Sequence, residues 1–270
     1  MSDATDLYLS LLKLCLTNFI HGDVEEKLAH SRQRLKQRIV ETVAARGIRM
    51  VRPAPFDPEL RREGKDWPPT AETMIGLKRL NNLQFCIEDV LSQRVPGDLI
   101  ETGVWRGGAT IFMRAVLKAH GVSDRLVWVA DSFEGLPPPD ENVYPQDRGD
   151  KHHTVKELVS SLEEVQSNFR RYGLLDDQVR FVKGWFRDTL PRAPIDRLAV
   201  LRLDGDMYGS TMDTLVNLYP KVSAGGYVII DDYGAIPTCR QAVHDFREAH
   251  GIDDQIREID WTGVYWQRVS

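Results

Sequence analysis

Cysteine is scarce in this sequence: Cys15, Cys86 and Cys239 are the three in 270 residues. They are odd in number, far apart and in no C-x-x-C spacing, which gives no disulfide framework and suits reduced core thiols of a cytoplasmic protein. Long apolar runs are also missing. The stretch from Leu7 to Ile20 is broken by Lys13, Thr17 and Asn18 and has no basic segment before it, so neither a secretory leader nor a membrane span is expected. Positive charge is in deficit: 35 Lys and Arg stand against 40 Asp and Glu, a formal charge of −5, so nothing offers a footprint for a phosphate backbone and nucleic acid is not an expected partner. No Gly-x-Ser-x-Gly elbow, no Walker lysine and no internal repeat occurs. Hydrophobic residues at 42% and charged residues at 28% lie near the globular average and argue against disorder. The length suits one large domain, or one domain with an appendage.

Hydrophobic periodicity divides the chain into a helical front and an alternating rear. Leu7, Leu11, Leu14 and Leu16 predict one amphipathic helix over Leu7 to Ile20, and Leu28, Leu35, Ile39 and Val43 a second over Val24 to Arg46. Five prolines between Arg52 and Thr70 predict a loop. Thr70 and Thr73 then open a helix whose apolar face runs Met74, Leu77, Leu80, Leu83, Ile87 and Leu91 and which stops at Pro96-Gly97. Beyond it, strands are predicted at Leu99 to Thr102, Leu126 to Asp131, Val179 to Lys183, Leu198 to Leu203 and Tyr227 to Asp231. Helices are predicted at Ala109 to His120, Val155 to Tyr172, Ser210 to Pro220 and Thr238 to His250. LAVLRL and YVII are apolar on nearly every residue, as strands covered on both faces are. Ile256 to Ile259 and Val264 to Val269 are too close for a helix between them and predict an antiparallel terminal hairpin. The fold expected is α/β: a doubly wound, mostly parallel seven-stranded sheet closed by that hairpin. The proline-rich polar stretch Leu136 to His153 reads as a mobile loop.

Ligands of open α/β sheets bind beyond the carboxyl ends of the strands. After the first strand comes Glu101-Thr102-Gly103-Val104-Trp105-Arg106-Gly107-Gly108, where glycines permit a sharp turn and close backbone approach. Its spacing is not G-x-G-x-x-G, which disfavours a dinucleotide without excluding it. The second strand ends at Asp131-Ser132, and a strand-end carboxylate can hold the vicinal hydroxyls of a ribose. Asp204 and Asp206 end one strand, and Asp231 and Asp232 end the next. Carboxylates converging from neighbouring strands repel unless a cation sits among them, and oxygen-only donors favour Mg²⁺, with Ca²⁺ or Mn²⁺ as alternatives. Asp204, Asp231 and Asp232 are the expected ligands, with Asp206 in reserve. Trp185 and Phe186 suit the flanks of an aromatic base, and packing explains them equally well. His152-His153 reads as a solvated pair, His244 as a surface residue and Cys239 as an inert thiol.

The ordered stretches Thr73-Met74-Ile75-Gly76, Pro96 to Val104, Val127 to Phe133, Gly184-Trp185-Phe186, Leu203 to Asp206 with Tyr208-Gly209, and Gly225 to Tyr233 resemble the macrocin O-methyltransferase family, and the likeness covers nearly the whole chain. The resemblance implies a class I methyltransferase, Rossmann-like fold, and a sheet with an antiparallel terminal pair agrees with it. It divides the chain into a helical lid and connector at 1–96 and an S-adenosylmethionine-binding domain at 97–270. It implies S-adenosyl-L-methionine and Mg²⁺ as cofactors and a sugar hydroxyl of a small glycosylated antibiotic as acceptor. Glu101, Thr102 and Gly103 would lie along the methionine part, Asp131 and Ser132 at the ribose, and Gly184 and Trp185 near the adenine. Thr73 to Gly76 would reach the cofactor tail. Asp204, Asp231 and Asp232 would bind the metal, with Asp204 also the general base. Some relatives place a His shortly after that aspartate, where this chain has Met207 and Tyr208. A homo-oligomeric state stays open. The rival readings are an NAD-dependent oxidoreductase on the same sheet and a non-catalytic scaffold, which should have lost the acidic rim or the glycine loop.

Overall fold

The computed structural model describes residues 4–24, 26–28, 34–48 and 50–269. In the front, α1 (Ala4–Leu16) is followed by β1 (Glu26–Leu28), α2 (Arg34–Ala44), β2 (Val51–Pro53), α3 (Pro58–Arg62) and α4 (Gly76–Ser92). The rear is β3 (Asp98–Thr102), α5 (Gly108–Ala119), β4 (Val127–Asp131), α6 (Leu162–Arg171), β5 (Val179–Lys183), α7 (Phe186–Thr189), β6 (Leu198–Leu203), α8 (Tyr208–Leu218), β7 (Val222–Ile230), α9 (Pro237–Ala249), β8 (Arg257–Glu258) and β9 (Val264–Gln267). Seven strands form one sheet in the order β5-β4-β3-β6-β7-β9-β8, parallel except for β9, which runs antiparallel to both β7 and β8. The doubly wound sheet with its antiparallel C-terminal pair is therefore as the sequence predicts. Among the described residues no helix is long and apolar enough to cross a membrane.

Successive residues of a strand point to opposite faces, and the two cores follow that alternation. Leu99, Val129, Val200 and Ile229 face one core with α1, α4 and α5. Ile100, Trp128, Leu201 and Val228 face the other with α8 and α9. The leucine-rich α1 is buried through Leu9, Leu12 and Leu16, while Leu7 and Leu11 of the expected face are 61% and 54% exposed. Leucines stand on both sides of this helix, and packing against α5 selects the set spaced i, i+3, i+7.

Other departures have local causes. The expected helix over Val24 to Arg46 is shortened to α2, and Glu26–Leu28 instead pairs antiparallel with Val51–Pro53. The side chains of Leu28 and Leu35 lie outside the described residues. The proline-rich connector carries α3, started by the Asp57 carboxylate, which accepts from the Glu59 and Leu60 amides. α6 starts at Leu162 rather than near Val155, because the Ser161 hydroxyl caps it by accepting from Glu164 N. α4 starts at Gly76, since Thr73 Oγ1 accepts from Ile75 N and holds the preceding turn outside the helix.

The front is tied to the rear by backbone. Leu16 O accepts from Glu72 N and Thr73 N at 3.0 and 3.2 Å, and Glu72 O accepts from Gly108 N at 3.0 Å. A Cβ on Gly108 would stand 2.6 Å from Glu72 O. The Glu72 carboxylate receives Arg171 Nη2 at 2.9 Å and the Tyr172 hydroxyl at 2.8 Å.

The expected mobile loop 136–153 is pinned instead. Buried Asp147 accepts from the first two amides of α8, Tyr208 N and Gly209 N, each at 2.8 Å, and the Tyr144 hydroxyl donates to Asp213 at 2.5 Å. Asp147→Ala leaves two helix-end donors without partners and is expected to cost about 1–2 kcal/mol in urea denaturation.

Candidate active site

A cavity of about 390 Å³ opens along the carboxyl ends of the strands. Sheet order maps it. At the β5-β4-β3 side its walls are Gly184 and Trp185, Asp131 and Ser132, and Glu101, Gly103, Val104 and Trp105. Asp204, Gly205 and Asp206 follow from β6, then Asp231 and Asp232 from β7, and Trp261 and Thr262 from the turn between β8 and β9. Thr73, Met74 and Ile75 close it from the front, and the loop after β4 roofs it. At about 4.8 Å between neighbouring strands, the span from β4 to β9 is roughly 20 Å.

The glycine loop is shaped by Asp131, whose Oδ2 accepts from Val104 N and whose Oδ1 accepts from Phe133 N, each at 2.7 Å. Burial raises the Asp131 carboxyl above its ordinary range. The Ser132 hydroxyl lies 3.4 Å from Oδ1, and the Trp105 amide also acts on this carboxylate. Ser132 lines the cavity, but its hydroxyl serves the local turn, donating to Gly135 O at 2.6 Å and accepting from Glu134 N. Thr102 is not brought to the cavity lining. It alternates with Glu101, so its hydroxyl faces α8 and lies 3.5 Å from both Arg202 O and Thr214 Oγ1. Trp105 and Asp206, both lining residues, hold the left-handed backbone at φ 47° and 56°, the kind of conformation that clusters at functional sites.

Two arginines organise the acids. Arg202, in the midst of LAVLRL, is 1% exposed. Alternation puts Glu101, Arg202 and Asp231 on the same sheet face, and the Arg202 guanidinium bonds Glu101 Oε1, Asp204 Oδ2 at 2.8 Å and Asp231 Oδ1. Arg79 from α4 bonds Asp231 Oδ2, Asp260 Oδ2 at 3.0 Å and Gly64 O at 3.2 Å. Sequence reasoning gave neither arginine a role. The only local signal was a charge inside a strand otherwise buried on both faces.

Negative charge still exceeds these two cations. One oxygen each of Asp204, Asp231 and Asp232 lies within 4.8 Å of the others. Burial first, then Asp231, pushes Asp204 up to about 7. Asp232 is raised well above its ordinary range by burial and by Asp206, Asp204 and Asp231. Burial lifts Asp206 to about 6 against the opposing pull of His152. His152 is thus not merely solvated: it is half-buried, pairs with Asp150 at 2.6 Å and has its charge felt at the acidic rim, while His153 is exposed. The buried Glu101 Oε2 has no partner among the described residues. An acid cluster whose carboxylates outnumber the cations beside it, with a carboxylate oxygen of Glu101 left over, fits a divalent cation held by oxygen donors and an ammonium group near Glu101. Cys239 is buried, and burial raises its thiol well above the ordinary value.

Burial pushes Glu101 up to about 8, with Arg202 opposing and Asp204 and Asp231 adding. The folded form then holds a proton that the unfolded chain releases near pH 4.5, so stability falls as pH rises from about 4.5 to 8. Glu101→Gln is expected to flatten this part of the melting temperature profile of the ligand-free protein.

A family profile described as Macrocin-O-methyltransferase (TylF) matches residues 5–268. The chain belongs to the macrocin O-methyltransferase family. It is 52% identical over 270 residues, 99% of this chain and 98% of the relative, to a mycinamicin III 3''-O-methyltransferase of Micromonospora griseorubida. It is 54% identical over 269 residues, 99% of this chain and 95% of the relative, to the 8-demethyl-8-(2,3-dimethoxy-alpha-L-rhamnosyl)-tetracenomycin-C 4'-O-methyltransferase of Streptomyces olivaceus. The solved structure of the O-methyltransferase NovP superposes with TM-score 0.85 at 50% identity, covering 98% of this chain and all of that one. The family's fold is that of class I methyltransferases, which implies S-adenosylmethionine and sets aside the oxidoreductase and scaffold readings. This member is an O-methyltransferase.

Proposed function

We propose that the chain transfers a methyl group from S-adenosylmethionine to a sugar hydroxyl of a glycosylated natural product, with Mg²⁺ held by Asp204, Asp231 and Asp232. The carrying observation is the order of groups along one cavity: a glycine loop and strand-end carboxylate on the β5-β4-β3 side, then the acid cluster on β6 and β7. The printed activities of the relatives, on a mycinamicin and on a rhamnosyl tetracenomycin, support a sugar acceptor. The three cysteines are free, which supports a reducing, cytoplasmic setting.

Methyl transfer is an in-line displacement, so holding the two partners in line supplies much of the rate. Gly103 and Gly184 admit the donor against backbone, Trp105 and Trp185 flank it, and Asp131 accepts from its ribose. Glu101 Oε2 accepts from its ammonium. Thr102 contributes only backbone, since its side chain faces α8. When bound, the ion supplies positive charge that favours ionisation of the acceptor hydroxyl. Asp204, at the acid cluster where the acceptor hydroxyl would be presented, is the candidate general base for that proton. Residues 1–96 serve as lid and connector, with Thr73 to Ile75 walling the donor from water.

Asp204→Ala and Asp231→Ala are each expected to lose at least a hundredfold in methyl transfer and to weaken Mg²⁺ binding in calorimetry. Full activity of both variants in the presence of chelator overturns the metal assignment.

A further inference from the structure

The wall of the cavity changes character beyond the acids. Four of the chain's six tryptophans line it. Trp105 and Trp185 stand on the β5-β4-β3 side, whereas Trp67 and Trp261 stand past Asp231, one on the connector after α3 and one in the turn between β8 and β9. These outer two are 51% and 45% exposed. They are not loosely hung. The Trp261 indole donates to Glu63 O at 2.9 Å, Arg79 reaches Gly64 O, and Asp66, next to Trp67, is paired at 2.5 Å with Arg61, itself 2% exposed. Pro68 and Pro69 stiffen the chain after it.

Large indoles fixed at the mouth of a cavity and left half in water are suited to cover an apolar ligand surface. A sugar presenting a hydroxyl to Asp204 and Asp232 must carry its substituent away from the donor side, and along the sheet order that direction leads to the β9 edge. We propose that Trp67 and Trp261 form a clamp for the apolar, ring-bearing aglycone of the acceptor, so that the enzyme selects glycosides of flat or apolar aglycones over free sugars. This rests on the sugar O-methyltransferase reading above.

The test uses the full chain saturated with S-adenosylhomocysteine, with 4-nitrophenyl α-L-rhamnopyranoside and free L-rhamnose as probes in calorimetry. The wild type is expected to bind the nitrophenyl glycoside at least tenfold more tightly than rhamnose. Trp67→Ala and Trp261→Ala are each expected to lose that preference while holding S-adenosylhomocysteine within twofold of wild type. Trp67→Phe and Trp261→Phe, which keep a ring, should recover most of it, and methyl transfer to the glycoside by the two alanine variants should show a raised KM with kcat little changed. Equal binding of the glycoside by wild type and both alanine variants overturns the clamp, as does a wild type that binds the two probes equally. If methyl transfer persists in those cases, the transferase reading stands and only the clamp falls. A wild type that fails to bind S-adenosylhomocysteine overturns both.

Discussion

Above about pH 8, where Glu101 and Asp204 are ionised, Arg202→Met is expected to cost about 3–5 kcal/mol of folding stability and to abolish methyl transfer, because removing one member of a buried ion network strands the others. The guanidinium contacts Glu101, Asp204 and Asp231 from a site that is 1% exposed. Methionine fills the volume and leaves carboxylates in a low-dielectric interior without their counter-charge. The urea midpoint should fall accordingly, and adding Glu101→Gln should restore part of the loss, giving a positive coupling in the double-mutant cycle. Arg202→Lys keeps the charge but cannot fork to three acids at once. It should fold, bind Mg²⁺ more weakly and lose at least tenfold in kcat. A methionine variant with wild-type stability would show that the acids are already protonated or otherwise compensated.

The second large effect is at Gly103. Its backbone is left-handed at φ +85°, and a Cβ there would lie 1.7 Å from Asp204 O, the backbone of the neighbouring strand end. Backbone cannot swing aside as a side chain can, so Gly103→Ala must pull β3 and β6 apart at strand ends that line the cavity. A cost of at least about 3 kcal/mol and loss of S-adenosylhomocysteine binding are expected. Gly121 is the control: at φ +66° with nothing among the described residues within 4 Å of its Cβ position, Gly121→Ala should cost only about 1 kcal/mol. Equal losses in the two variants, measured by denaturation, would assign the effect to backbone conformation alone.

The contrast between these sites shows what a linear reading can reach. Strands such as LAVLRL and YVII were legible because burial on both faces leaves almost no choice of residue. The strand-end positions of Glu101, Asp131, Asp204, Asp231 and Asp232 followed from strand–loop boundaries. Thr102 was placed with them because adjacency in sequence hides the alternation that turns its side chain to α8. Arg79 meets Asp231 across 152 positions and Arg202 meets Glu101 across 101. No local period records such pairings. The strands β1 and β2, three residues each, are too short to show a period of two. Asp147 looked like one polar residue in a polar loop until its partner, the start of α8, was in view.

Arg79 has a consequence for redesign. One side chain binds the connector at Gly64, the end of β7 at Asp231 and the terminal turn at Asp260, and its stem packs where a Cβ on Gly263 would stand. The frame of the cavity beyond Asp231 is thus carried by the Arg79 side chain. Positions 67 and 261 are free to be randomised for new acceptors while position 79 stays fixed, and a library that varies all three together would spend most of its members on chains whose acid cluster has lost its anchor.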